Sequence, residues 1–141
     1  MKSLLTQIDI EAPASKVWNI LMDHANYPQW NPFIKEVNGE TQVGNQIEIN
    51  LGKGKNSQFK STVLVRDTNK EFRWIGHLFI NGLFDGEHYF QLEELGPNRT
   101  RFIHGEKFSG ILSGTIMKMI GETTEKGFIS MNVELKKLAE A

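Results

Sequence analysis

From Lys2 to Glu11 apolar and polar side chains alternate: Leu4, Thr6, Ile8 and Ile10 interleave with Leu5, Gln7, Asp9 and Glu11. A period of two is what a half-buried strand requires. Pro13 then suits a first helical turn, and Val17, Trp18, Ile20, Leu21 and Met22 form an apolar stripe that Asp23 ends, predicting a short helix over Ala14 to Met22. Asn26-Tyr27-Pro28 and Trp30-Asn31-Pro32 follow. Each proline disfavours helical backbone at the residue before it, so this bent connection holds at most one more helical turn. From Phe33 to Phe108 short alternating segments are separated by turn residues, and they read as antiparallel strands joined by hairpins. The expected strands are Phe33 to Val37, Gln46 to Leu51, Gln58 to Arg66, Glu71 to Ile80, Phe84 to Leu95 and Arg99 to Phe108, seven with the first. After Ser109-Gly110 no proline occurs. Met117, Ile120, Thr124, Phe128, Met131, Leu135 and Leu138 recur every three or four residues, which predicts one long helix with this face on the sheet. Lys118, Glu122, Glu125, Lys126, Lys136 and Lys137 are expected in water on its other side. Gly121 and Gly127 weaken that helix, which suggests close backbone approach, a bend, or room left for something else.

Composition narrows the function. With 141 residues, no internal repeat and no linker-like stretch, residues 1–141 read as one domain. Sixteen Lys+Arg against seventeen Asp+Glu give a net charge of -1, too weak a field to favour nucleic acid. No cysteine is present, which excludes disulfides, thiol nucleophiles, iron–sulfur clusters and Cys-ligated zinc. The start lacks the apolar core of a signal peptide, and no apolar run nears the ~20 residues that cross a bilayer. A cytoplasmic protein without membrane insertion is expected, as a monomer or homodimer.

Strand, short helices, six antiparallel strands and a long C-terminal helix is an α+β order in which a curved sheet can wrap the last helix. Ala12-Pro13 before Val17-Trp18, then Asp23, Tyr27-Pro28 and Trp30-Asn31-Pro32-Phe33, resembles the opening of the polyketide cyclase/dehydrase-like branch of the START-like (SRPBCC) superfamily. Gly86-Glu87-His88-Tyr89-Phe90, Thr100-Arg101-Phe102, Glu106-Lys107-Phe108-Ser109-Gly110 and Lys126-Gly127-Phe128 are similar to its second half. The resemblance implies the helix-grip fold, shared with the birch-pollen-allergen type, with two short helices after strand 1 and a cavity for an apolar ligand between sheet and helix. It specifies chemistry weakly, because the family holds carriers, sensors and cyclases alike.

The sharpest constellation comes from strand parity. On the hairpin turning at Gly96-Pro97-Asn98, Phe84, Gly86, His88, Phe90 and Leu92 share one face, and Thr100, Phe102, His104, Glu106 and Phe108 share the matching one. The mostly apolar face points inward, which puts His88 and Glu106 inside, opposite each other and within hydrogen-bonding reach. They are the candidate catalytic residues, as general acid and base, and equally candidates for a polar anchor or a mutually satisfied structural pair. Trp30 and Phe33, beside prolines where the fold would open, join them as candidate ligand contacts. Trp74, Phe90 and His104 on the strands are further candidates, as are Met117, Ile120, Thr124 and Met131 on the long helix. Met119 is expected to fill gaps like its fellow methionines.

Other motifs fail their tests. Gly52-Lys53-Gly54-Lys55 lacks phosphate-loop spacing and precedes a strand, so it reads as a mobile hairpin tip. His24, His77, His88 and His104 show no helical metal-ligand spacing, with His77 expected to face away from Trp74; no metal or other cofactor is expected. No Gly-x-Ser-x-Gly elbow occurs. The expected function is a carrier or binding module for a small hydrophobic or amphipathic molecule such as a lipid, polyketide or aromatic metabolite, in a cavity of ~300 to 1,000 Å³. The alternative is a polyketide cyclase or aromatase using His88 and Glu106 on the same ligand. A protein-interaction module built on the long helix has less behind it.

Overall fold

In the structure, a computed structural model, residues 2–52, 58–78 and 82–141 are described. Residues 53–57, expected as a hairpin tip, and 79–81, the end of the fifth expected strand with its turn, lie outside them. β1 (Lys2–Ile10) leads into α1 (Ala14–Met22), a 3-10 turn (His24–Asn26) and α2 (Tyr27–Trp30). Six strands follow: β2 (Glu36–Asn38), β3 (Gln46–Asn50), β4 (Gln58–Asp67), β5 (Glu71–Leu78), β6 (Phe84–Gly96) and β7 (Arg99–Ser109). α3 (Ser113–Glu140) closes the chain. All seven strands form one sheet in the order β1-β7-β6-β5-β4-β3-β2, every neighbouring pair antiparallel. This is the helix-grip architecture that the family resemblance implied.

The expected strand at Phe33 to Val37 shrinks to Glu36–Asn38, and the cause is local. The Asn31 side chain accepts the backbone N–H groups of Phe33 (2.9 Å) and Ile34 (2.8 Å) through Oδ1, so neither is left for a ladder. Register shifts between Val63 and Val65, and between Glu94 and Gly96, add the bends that curve the sheet. Pro13 sits at the N-cap of α1, its carbonyl accepting Lys16 N–H and Val17 N–H. The buried Tyr27 hydroxyl donates to Leu21 O at 2.6 Å, which ties α2 back to α1. Burial and the nearby Asp23 hold that phenol far above the usual range.

α3 grips the sheet unevenly. Its buried residues are Phe128, Met131, Asn132, Leu135 and Ala139, all in the C-terminal half. Phe128 and Met131 face the sheet as expected. Met117 is only half-buried, Ile120 is 39% exposed, and Met119 stands in solvent instead of filling a gap. Among the described residues of α3, none from Ser113 to Gly127 is buried. Lys136, expected in water, is half-buried because its ammonium donates to Asp9 O at 2.7 Å and so fastens α3 to β1. Among the described residues no helix is long and apolar enough to cross a membrane.

Candidate functional site

Two parallel rows of residues cross the inner face of the sheet. Val63, Trp74, His88 and Glu106 face one another on β4, β5, β6 and β7, and one step along lie Ser61, Gly76, Gly86 and Phe108. The second row carries two glycines side by side. Glycine inside a strand usually marks a bulge or a close approach. Here it leaves the middle of the sheet bare, and a cavity of about 140 Å³ opens above it. Phe84 and Phe108, stacked at 5.4 Å with rings 7° apart, wall one side. Ile49, Leu51 and Phe59 wall another, and Phe33, Ile120 and Thr124 cover it. The cavity is smaller than the ~300 Å³ lower bound expected of ligand pockets, because these aromatic rings occupy the space between sheet and helix.

Phe33 reaches the cavity because the Asn31 turn aims it and Gly127 lets it pass: a Cβ at Gly127 would collide with the Phe33 ring. Close backbone approach is thus the reason for that helix glycine. Trp30 does not line the cavity; it packs edge-on to Tyr27 at 5.4 Å. Phe90, His104 and Met131, expected as ligand contacts, are buried behind the cavity wall. Met117 borders a shallow groove with Lys2, Gly114 and Lys118 instead. Phe33, Trp74, His88, Glu106, Ile120 and Thr124 do line the cavity. His77 stands at its edge and hydrogen-bonds Asp85 through Nδ1 at 2.7 Å.

His88 and Glu106 meet as parity required, Nδ1 to Oε1 at 3.2 Å. What the sequence reading lacked is the chain behind them. His88 Nε2 lies 2.8 Å from His104 Nε2, and His104 Nδ1 lies 2.9 Å from Asn132 Oδ1. The Asn132 amide donates to Thr6 Oγ1 at 2.8 Å, and the Thr6 hydroxyl donates to the His104 carbonyl at 2.9 Å. That carbonyl can only accept, and this fixes every direction upstream. Thr6 Oγ1 receives from Asn132, so Asn132 Oδ1 receives from His104 Nδ1–H. Burial, with the neighbouring His88 second, pushes His104 well below the usual imidazole range despite its bond to Asn132. A neutral ring with its proton on Nδ1 leaves Nε2 as an acceptor, so His88 must donate from Nε2.

One proton then remains to be shared between His88 Nδ1 and Glu106 Oε1, since two acceptors cannot bond and two donors would collide. Glu106 Oε2 is not used in this bond; it leans over Gly86, where a Cβ would overlap it. Trp74 stacks flat on His88 at 4.5 Å and 2°, which fixes the plane of that imidazole. The arrangement sets a hydrogen-bonded His–Glu pair against a mostly apolar cavity whose other polar lining groups include Ser61, His77 and Thr124. Among the described residues no three His, Asp or Glu side chains converge as metal ligands would.

A family model described as polyketide cyclase / dehydrase and lipid transport matches residues 1–140. The chain belongs to that family. Solved structures similar to this polyketide cyclase/dehydrase family member share its fold at low identity. The Zhui aromatase/cyclase from Streptomyces sp. R1128 is 15% identical with a TM-score of 0.78, covering 99% of this chain and 93% of that one. A START superfamily protein from Mycobacterium smegmatis is 20% identical at 0.67, covering 96% and 98%. Norcoclaurine synthase from Thalictrum flavum, solved with dopamine and hydroxybenzaldehyde, is 13% identical at 0.72, covering 97% and 85%. A search of curated proteins finds no match to this family member.

Proposed function

We infer that the chain binds a small amphipathic molecule, with the apolar part among Phe33, Phe84 and Phe108 and a polar group on Glu106 Oε2. The observation that carries this reading is the combination of an apolar cavity with one carboxylate whose second oxygen is left for a ligand while the first is held by His88. Membership of a family described by cyclases and lipid transport supports it, and so does a neighbour of this fold holding single-ring aromatics.

Toluene and 3-methylphenol, which differ by one hydroxyl, test it. The phenol is expected to bind at least tenfold tighter, as a hydrogen bond to a charged group contributes roughly 1.5–3 kcal/mol. Glu106→Gln should remove that advantage and leave toluene unchanged. Equal weakening of both probes, in step with lost stability, would make the pair structural.

A second reading is favoured by the single shared proton: Glu106 and His88 as acid and base for an aldol ring closure. Heptane-2,4,6-trione can close a bond between a terminal methyl carbon and the far carbonyl carbon; loss of one water then leaves 5-methylbenzene-1,3-diol. Acceleration of this arene's appearance by the protein, lost in Glu106→Gln, would establish it. No acceleration leaves the binding role alone.

A further inference from the structure

Ser61 is 3% exposed, yet its hydroxyl has no hydrogen-bond partner among the described residues. An unpaired buried hydroxyl costs stability, and native chains carry few of them. This one lines the cavity. It leans over the bare inner face of Gly76, 2.9 Å from where a Cβ would stand. Glu106 Oε2 leans in the same way over Gly86, and Gly76 and Gly86 are directly opposed on β5 and β6. Two oxygens thus approach from opposite sides over a glycine pair, Ser61 from β4 and Glu106 from β7. Opposed positions on neighbouring strands stand about 5 Å apart, and each oxygen approaches its own glycine from the outer side, so the oxygens can stand up to about 10 Å apart, room for a six-membered ring with two oxygen substituents and a hydrogen bond at each end. Neither oxygen could hold its place above an alanine, and a flat group can lie directly on the backbone between them.

Taking the cavity to be a ligand site, as read above, we propose that its ligand is a single flat ring with two oxygen substituents in a 1,3 or 1,4 relation. One substituent is a hydroxyl that donates to Glu106 Oε2; the other oxygen accepts from the Ser61 hydroxyl. Size agrees, because an apolar cavity of about 150 Å³ takes one benzene, and this one measures about 140 Å³. Charge agrees as well. Glu106 Oε2 accepts when the shared proton sits on His88, and the Ser61 O–H, without a partner among the described residues, donates.

The experiment measures binding of toluene, phenol, resorcinol, hydroquinone and catechol to the full chain and to Ser61→Ala. Resorcinol or hydroquinone is expected to bind five- to tenfold tighter than phenol, the gain from one neutral hydrogen bond. Catechol, whose adjacent oxygens cannot span the gap, should bind like phenol. Ser61→Ala should erase the second-oxygen gain, leave toluene and phenol unchanged, and keep or raise Tm. The proposal is overturned if the second oxygen adds nothing, if its gain survives in Ser61→Ala, or if catechol gains equally. In those cases phenol and toluene still bind and the cavity keeps its ligand role. Failure of every ring to bind would overturn both.

Discussion

Lowering the pH from 7 to 5 is expected to destabilise the folded chain by about 4 kcal/mol, from two histidines that folding keeps neutral. One is His104, held far below its usual range by burial and by His88. The other is His24, pushed down to about 4, first by burial and then by the positive charge of Arg66, with Asp23 opposing. It packs against Tyr27 and Phe72, and its Nε2 has no partner among the described residues. A lowered folded-state value means that the unfolded chain takes up protons first, at about 6.5, while the folded chain declines them. The stability is fully present above pH 6.5 and drains by about 1.4 kcal/mol per pH unit per histidine below it, until the folded form of His24 protonates near 4. Asp9 and Glu140 are held below their usual range by Arg101 and by the Glu11 N–H respectively, so their contributions fade only under more acid conditions. Urea unfolding at pH 7, 6 and 5 measures the slope, and His24→Phe, which keeps the aromatic packing, should remove about half of it. A flat profile would mean that these rings are protonated or solvated in the folded chain.

Phe128→Ala is the substitution expected to cost most, about 3–5 kcal/mol, the range for deleting a buried phenylalanine. Phe128 is fully buried, lies flat against His104 at 4.1 Å and 11°, and meets Phe33 edge-on at 5.3 Å. Its loss opens a void between α3 and the sheet and frees both His104 and Phe33 to shift. Denaturant unfolding should show a lower midpoint with an unchanged slope. Ile129→Ala, at a neighbouring position that is 48% exposed, should stay within about 0.5 kcal/mol. A Phe128→Ala cost below 1 kcal/mol would mean that α3 is not held by this contact.

Alternation and helical spacing were enough to read the element order and the pairing of His88 with Glu106, because a period of two leaves no freedom once one face is apolar. The same parity applied to β4 puts Ser61 inside with Phe59 and Val63, but a serine among strand residues attracts no notice unless its partner is asked for. Gly76 and Gly86 were visible as strand glycines. That they sit side by side depends on the register between β5 and β6, which alternation within each strand does not give. Asn132 interrupts the apolar face of α3 between Met131 and Leu135, and a polar residue on an inward helical face is the sequence signal for the Asn132–His104 bond. The cavity's volume was beyond pattern reading altogether. It depends on how far aromatic rings intrude, and for Phe33 that is decided by Gly127, 94 residues away, and by the Asn31 turn, two residues away.

The uneven grip of α3 separates two free energies that a uniformly packed helix would merge. Its C-terminal half shares the core and can detach only when the whole domain unfolds. The turns from Ser113 to Gly127 bury no residue, yet they carry Ile120 and Thr124 over the cavity. Backbone amides there should exchange with deuterium through small local openings, while those from Phe128 onward exchange at the global rate. If the cavity holds the ligand proposed above, that guest would enter and leave on the timescale of these local openings, and its residence time would be set independently of how long the fold itself survives.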